Sequence, residues 1–232
     1  MSATQTKSEP ATAAKCWSCL AATHGGHFCP VCGKIQPLAD GADYFAFFSL
    51  PRKLGIEPAA LEAEFHKLSW KLHPDNFVRA SEFERNLSLE RSSELNDAYR
   101  TLRDPITRVE YLLLELGLRK EGTTKQQAPP ELLEEVFELN ESLEELREAR
   151  AAHGDTARLR DQLAAAQKDF EGKLGEVDAE LARVGREWDA ALEANADDAK
   201  RSALLAKMNE ILNRRSYIRN LVGGVQKELA EE

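Results

Sequence analysis

The sequence lacks any apolar run long enough to cross a membrane, and its N-terminus lacks a hydrophobic segment. A transmembrane helix needs about 18 consecutive apolar residues or more. The first 15 residues contain no arginine and include Glu9 and Pro10, which argues against a secretory signal and against a mitochondrial presequence. We therefore expect a cytoplasmic protein that has no membrane partner.

Basic residues are in deficit, because 31 lysines and arginines stand against 40 aspartates and glutamates and give a net charge of −9. The deficit lies in residues 121–232, which carry 16 basic and 25 acidic side chains. An acidic chain without a basic domain does not favour nucleic acid as a partner. The acidic region predicts either a solvated helical surface or a face for a basic protein.

The sequence has no internal repeat, and residues 131–230 lack patterns typical of β-strands. Residues 131–230 instead carry three apolar stripes at helical spacing, which predict a three-helix bundle with turns at residues 153–155 and 195–197. The stripes comprise Leu132, Val136, Leu139, Leu143 and Leu146; Leu159, Leu163, Ala166, Phe170, Leu174, Val177, Leu181, Val184 and Trp188; and Leu204, Met208, Ile211, Ile218, Leu221, Val225 and Leu229.

Cysteine is scarce, and all four cysteines lie within residues 15–36. Two Cys-x-x-Cys pairs with a short spacer predict a tetrahedral four-thiolate zinc site formed by Cys16, Cys19, Cys29 and Cys32. A segment this short cannot build its own core, so the metal would supply most of its folding free energy. Since all four ligands are protein groups, we expect one structural zinc ion with no open position for catalysis.

The cysteine pattern has three alternative interpretations. His24 and His27 lie in the spacer as substitute ligands, but four cysteines make them unnecessary. A redox Cys-x-x-Cys motif is expected in a βαβ context, which the sequence does not have. Two disulfides would need an oxidising compartment, which the N-terminus does not indicate.

The most informative feature is His73-Pro74-Asp75, which lies between two amphipathic helical patterns. The flanking apolar residues are Leu61, Phe65, Leu68 and Leu72 before it, and Phe83, Leu87, Leu95, Ala98 and Leu102 after it. Pro74 ends the first helix near Leu72, because proline cannot continue a helix and restricts the residue before it. Ser81 and Glu84 form a capping-box pattern for the second helix. The sequence therefore predicts a helical hairpin that displays an imidazole, a rigid ring and a carboxylate at its tip.

Residues 65–75 resemble the second helix and loop of the J-domain (DnaJ) family, with Lys67 and Lys71 as its basic strip. Four further motifs match a known family: Asp43-Tyr44-Phe45, Asn96-Asp97-Ala98-Tyr99, Leu102-Arg103-Asp104-Pro105 and Arg108-Val109-Glu110-Tyr111-Leu112-Leu113. With these motifs the chain, from residue 43 to about 230, is similar to the HscB family of J-domain co-chaperones of iron–sulfur cluster assembly. The four-cysteine segment is similar to one in the animal mitochondrial form. One departure is Asn76, where the family usually has lysine.

The resemblance implies an all-α fold: a J-domain hairpin and a C-terminal three-helix bundle, preceded by the small zinc module. The expected organisation is a disordered segment at 1–14, the module at 15–40, the J-domain at 43–118, a linker at 119–130, and the bundle at 131–232. We expect a monomer.

The resemblance also implies a function without an active site of the chain's own. His73, Pro74, Asp75, Lys67 and Lys71 would dock on an HscA/DnaK-class ATPase and stimulate it, while the bundle would bind an IscU-type iron–sulfur scaffold. One alternative is a general J-domain chaperone that recruits unfolded clients. Another is a redox-active or nucleic-acid-binding zinc protein with an incidental helical scaffold, which the charge balance and the cysteine pattern disfavour.

Leu133 and Phe137 form an apolar pair that lies off the predicted core seam, rotated from it by about 100°. Four acidic residues surround this pair: Glu134, Glu138, Glu141 and Glu145. The pattern alone fits a partner surface and a wide core face equally well. The HscB resemblance favours a scaffold-binding face and adds Tyr217 to it. Phe137 stands where the family usually has leucine or methionine.

Overall fold

The computed structural model describes residues 15–39, 41–119 and 129–231, and helices dominate this part of the chain. The helices are α1 (Tyr44–Phe47), α2 (Pro58–Leu72), α3 (Glu82–Arg103), α4 (Pro105–Glu115), α5 (Leu133–Ala151), α6 (Ala157–Glu193) and α7 (Asp198–Ala230), with short 3-10 turns at Pro74–Phe77 and Pro130–Leu132. The all-α prediction is confirmed. The predicted disordered segment at 1–14 and most of the predicted linker lie outside the described residues.

The chain divides into two compact units. The first contains the described residues up to Arg52 together with Ile56–Asp104, and the second contains Lys53–Gly55 and the described residues from Pro105 onward. Helix α4 thus groups with α5–α7, although the sequence assigned it to the 43–118 segment. The domain bounds inferred from the sequence remain a proposal.

The first unit is built on the hairpin of α2 and α3. Helix α2 ends at Leu72, as Pro74 predicts, and the Leu72 carbonyl accepts hydrogen bonds from the hydroxyls of Ser88 (2.6 Å) and Ser92 (3.0 Å) on α3. The capping box of Ser81 and Glu84 is present at the start of α3. The hairpin buries Leu61, Leu68, Leu72, Leu87, Leu95, Ala98 and Leu102.

Two aromatic residues of the predicted hairpin pattern are not fully buried. Phe65 is half-buried and stacks on Tyr99, with 4.1 Å between ring centroids. Phe83 is 50% exposed and packs on Trp17 of the cysteine segment. Periodicity placed both residues on an apolar face but did not identify what covers them.

The second unit contains the three long helices, α5 to α7. The predicted stripes are buried or half-buried, and Leu205 and Leu212 join the core as well. Residues Lys53–Gly55 belong to this unit because the Asp189 carboxylate accepts the amides of Leu54 (2.7 Å) and Gly55 (2.6 Å). A Cβ atom at Gly55 would lie 2.9 Å from that carboxylate, so a larger residue would have to displace the Asp189 side chain. No helix of the described segments is both long and apolar enough to cross a membrane.

Candidate functional site

The four cysteine sulfurs converge on one point. All lie within 4.8 Å of one another, and the Cys16–Cys32 and Cys19–Cys29 Sγ pairs are each 3.6 Å apart. A tetrahedral zinc site with Zn–S bonds of about 2.3 Å places its sulfurs about 3.8 Å apart. The described cysteines are free thiols, and neither histidine of the spacer joins the cluster. The four-cysteine set therefore fits a tetrahedral metal ion.

Backbone amides donate to the sulfurs of Cys16 and Cys29 and favour the thiolate form of these two cysteines. The Cys16 sulfur accepts the amides of Ser18 (3.3 Å) and Cys19 (3.4 Å), and the Cys29 sulfur accepts that of Val31 (3.4 Å). Burial opposes ionisation of Cys16, but these amides together with the Cys32 and Cys19 side chains lower its pKa to about 6. The neighbouring cysteine side chains conversely raise the pKa of Cys19 to about 12. Because the thiolate is the metal ligand, the amides favour the ligand form at Cys16 and Cys29, whereas Cys19 would give up its proton to a bound ion.

The cysteine segment, which we call the module (residues 15–39), packs on the first unit's helices near the start of α3. Trp17 meets the Phe83 ring edge-on at 4.8 Å between centroids, and its indole Nε1 donates to the Ile35 carbonyl at 2.7 Å. Lys34 pairs with Glu84 at 2.8 Å. The sequence did not reveal these contacts of the module.

A buried polar group joins the module to the hairpin farther along α3. The His27 ring lies against Phe47, where Nε2 donates to the Phe47 carbonyl at 2.9 Å, and Nδ1 accepts from the Arg91 guanidinium at 2.6 Å. Arginine is only a donor, so this network fixes the neutral tautomer of His27. Burial and the charge of Arg91 lower the pKa of His27 to about 4. His27 is thus an interface residue of the module rather than a metal ligand.

Arg91 is the residue that sequence reasoning missed. Its side chain is only 2% exposed, lies over the Phe47 ring at 4.5 Å, and pairs with Glu94 at 3.0 Å. The available signal was its position, four residues after Leu87 and four before Leu95, on the apolar stripe of α3. A cation at a core position indicates a specific partner.

The His73-Pro74-Asp75 loop is displayed at the end of α2. The His73 and Asp75 side chains are 56% and 84% exposed, and Nδ1 of His73 lies 3.6 Å from the Asp75 carboxylate. Lys67 and Lys71 are exposed at i and i+4 on α2. Lys67 also pairs with Glu64 at 2.8 Å, which partly offsets its charge. The five predicted chaperone-binding residues thus lie within two turns of helix and the following loop.

The predicted scaffold-binding residues lie at the surface of the second unit. Leu133 is 55% exposed and Phe137 is 70% exposed, so the apolar pair is not a core face within the described structure. Tyr217 is half-buried. The four acidic residues around the apolar pair are exposed: Glu134, Glu138, Glu141 and Glu145. An exposed apolar pair with an acidic rim is typical of a protein-binding surface.

Comparison with known proteins finds relatives and a solved structure that share one name. No family model matches the chain. The chain is 33% identical over 158 residues to a protein of Vibrio vulnificus strain YJ016 named co-chaperone protein HscB homolog, covering 68% of this chain and 82% of that protein. It is 34% identical over 172 residues to the protein of the same name from Vibrio campbellii, covering 73% and 94%. The crystal structure of human co-chaperone protein HscB superposes with a TM-score of 0.62 and 26% identity, covering 94% of this chain and 100% of that one.

Proposed function

The chain belongs to the HscB family of co-chaperones, and on this premise we propose that it delivers an IscU-type iron–sulfur scaffold to an HscA/DnaK-class chaperone and stimulates the ATPase of that chaperone. A J-domain co-chaperone role follows from the family. The observation that carries the specific proposal is the exposed His73-Pro74-Asp75 loop at the end of a capped helical hairpin.

The chemistry of the loop supports docking rather than catalysis. The Asp75 carboxylate is exposed and suits a charge-assisted pair with an arginine of the ATPase. Pro74 fixes the backbone, and His73 offers a hydrogen-bonding ring. Lys67 and Lys71 would add attraction to an acidic surface of the partner, an effect that salt screens.

The α5 surface supports scaffold binding through a different kind of contact. Phe137 and Leu133 supply exposed apolar area, which is the usual source of affinity at an interface centre. The surrounding glutamates would select a partner with a basic rim and repel an acidic one. Phe137 is larger than the leucine or methionine usual in the family, so its pocket on the scaffold should be correspondingly wider.

We assign zinc to the four-cysteine set because a tetrahedral set of protein thiolates favours zinc over hard divalent ions such as magnesium and calcium. Iron also fits four thiolates, but it would make the protein coloured and redox-active, so experiment distinguishes the two metals. When bound, the ion would supply the folding free energy that a segment this short lacks. Cys16, Cys19, Cys29 and Cys32 would hold it. A monomeric state and a cytoplasmic location remain predictions from the sequence.

The test is steady-state ATP hydrolysis by the HscA/DnaK-class chaperone with this protein, with the IscU-type scaffold, and with both. We expect stimulation that exceeds the sum of the separate effects when both are present. Stimulation by this protein without any added effect of scaffold would favour a general J-domain chaperone, and suppression of the aggregation of denatured proteins would support that alternative. Absence of stimulation in every mixture, with folded protein, would contradict the proposal.

A further inference from the structure

We propose that the module positions the His73-Pro74-Asp75 loop through one turn of α3, so that metal loading of the module controls how the loop docks on the ATPase. Arg91 is the positioning residue on the module side of that turn. The docking part of this inference rests on the function proposed above, whereas the structural coupling within the first unit does not.

On the module side, Arg91 depends on His27. The guanidinium is buried, its Nη2 donates to Nδ1 of His27 at 2.6 Å, and its Nε has no partner among the described residues. Leaving a buried N–H group of a cation without an acceptor is costly. If His27 moves away, Nη2 loses its acceptor and only the Nη1 bond to Glu94 at 3.0 Å is left. The guanidinium then has to turn toward solvent, and the α3 turn that carries it has to adjust.

On the loop side, the same turn of α3 holds the end of α2. Ser88 and Ser92 stand three residues before and one residue after Arg91, and both hydroxyls donate to the Leu72 carbonyl. Leu72 is the last residue of α2, directly before His73. Helix ends leave carbonyls that need such partners. Because packed interiors transmit small displacements, a shift of this turn moves the end of α2 and the loop together.

The position of His27 depends in turn on the four cysteines. His27 lies two residues before Cys29, and its carbonyl accepts the Gln36 amide at 2.9 Å. The Gln36 side chain then donates to the Cys16 sulfur at 3.4 Å. The module has only isolated β-bridges for secondary structure, so its fold depends on the joined sulfurs. Loss of the metal therefore releases His27 from Arg91.

The experiment measures amide hydrogen exchange in the free, full-length protein with and without a zinc chelator, with zinc alone added back as the reversal. We expect metal removal to raise exchange at residues 69–76 by about tenfold, because the hydroxyl contacts to Leu72 weaken. His27→Phe keeps a ring on Phe47 but removes both hydrogen bonds, and it should have the same effect with zinc retained. His27→Gln can donate and accept, and it should restore part of the protection.

The decisive variant is Arg91→Met, in which metal removal should no longer change exchange at residues 69–76. If that variant does not fold, Ser88→Ala combined with Ser92→Ala interrupts the other side of the turn and should give the same insensitivity. Lys34→Met is the matched control, because it removes a module contact at the α3 cap and leaves this turn intact. An effect of Lys34→Met equal to that of His27→Phe would overturn the inference, as would unchanged exchange at 69–76 after metal removal.

ATPase stimulation separates this inference from the proposed function. The metal-free protein and His27→Phe should need more co-chaperone for half-maximal stimulation while reaching the same maximum. Failure of the wild-type protein to stimulate would refute the proposed function alone, since the exchange measurements decide the coupling independently. An unchanged half-maximal concentration in metal-free protein would refute the claim that metal controls docking.

Discussion

The side-chain amide of Asn76 donates to the carbonyl of Trp70 at 2.6 Å. This bond satisfies one of the carbonyls that the end of α2 leaves without a helical partner. Asn76 is also the position at which the family usually has lysine. The departure therefore replaces a positive charge beside the loop with a hydrogen bond that ties the loop to the helix.

We expect Asn76→Ala to lower the free energy of unfolding by about 0.5–1.5 kcal/mol, because one hydrogen bond is lost at an exposed helix end. Asn76→Lys should lower it similarly but bind the ATPase more tightly at low salt, since it restores a positive charge. Urea unfolding and binding measured at two salt concentrations test both effects. Equal affinity of Asn76→Lys and Asn76→Ala at low salt would rule out the electrostatic part.

His73→Gln should abolish ATPase stimulation while leaving the fold intact. The ring is 56% exposed and accepts only the Asp75 amide at 3.3 Å among the hydrogen bonds described for it, so little folded structure depends on it. The measurement is steady-state ATP hydrolysis together with Tm. His153→Asn is the control, because it changes an exposed histidine in the second unit at a positive φ of 53° that asparagine tolerates. Unchanged stimulation by His73→Gln would remove the loop from the docking model.

Leu133→Ala combined with Phe137→Ala should weaken scaffold binding by at least about tenfold, because both side chains supply exposed apolar area to the proposed interface. Stability should change by less than about 1 kcal/mol, as surface substitutions usually do. Calorimetric titration with the scaffold and thermal unfolding test the two expectations. Leu139→Ala is the matched control, since Leu139 lies on the same helix but is only 3% exposed, and its loss should cost about 2–5 kcal/mol of stability. A large fall in Tm for the double variant would instead assign the pair to the core.

Local chemistry explains why the helices were predictable. Pro74 ends α2, Ser81 with Glu84 begins α3, and each effect acts over three or four residues. The bundle stripes follow from the same short-range periodicity. These features need no knowledge of distant segments.

The exposure of individual side chains and the contacts between distant residues were harder to predict from the sequence. Periodicity placed Leu133 and Phe137 off the seam but could not decide whether another element covers them, and the described structure leaves them exposed. His27 and Arg91 lie 64 residues apart. Nothing in the sequence around His27 identifies Arg91 as its partner. The position of Arg91 on the apolar stripe of α3 indicates only that its side chain has a buried partner.

Glu228 gives the second unit a pH-dependent stability. It is 9% exposed, and hydrogen bonds from Arg147 hold the pKa of its carboxyl below the usual range, with Arg150 adding to the effect. A carboxyl whose pKa is lower in the folded state stabilises the fold above its unfolded pKa of about 4.3 and loses that contribution as pH falls through the folded value. Glu228→Gln should therefore lower stability at pH 7 and reduce the loss of stability on acidification below about pH 4.

Urea unfolding of the wild type and of Glu228→Gln at several pH values between 3 and 7 checks this prediction. Glu210→Gln serves as the control because Glu210 is exposed on the same helix. Parallel pH curves for the wild type and Glu228→Gln would contradict the assignment of the acid sensitivity to this group.

Metal removal should unfold the module and leave the second unit folded. Elemental analysis should give one zinc per chain, and the four thiols should resist a thiol reagent until a chelator is added, because coordinated thiolates are protected. Trp17 packs on Phe83 and donates to the Ile35 carbonyl, so its release should shift the tryptophan emission to longer wavelength. Trp17→Phe should lose most of that shift, which identifies its source. Cys16→Ser should lower zinc content and reproduce the shift without chelator, whereas a coloured protein with iron bound would show that the thiolates hold a different metal.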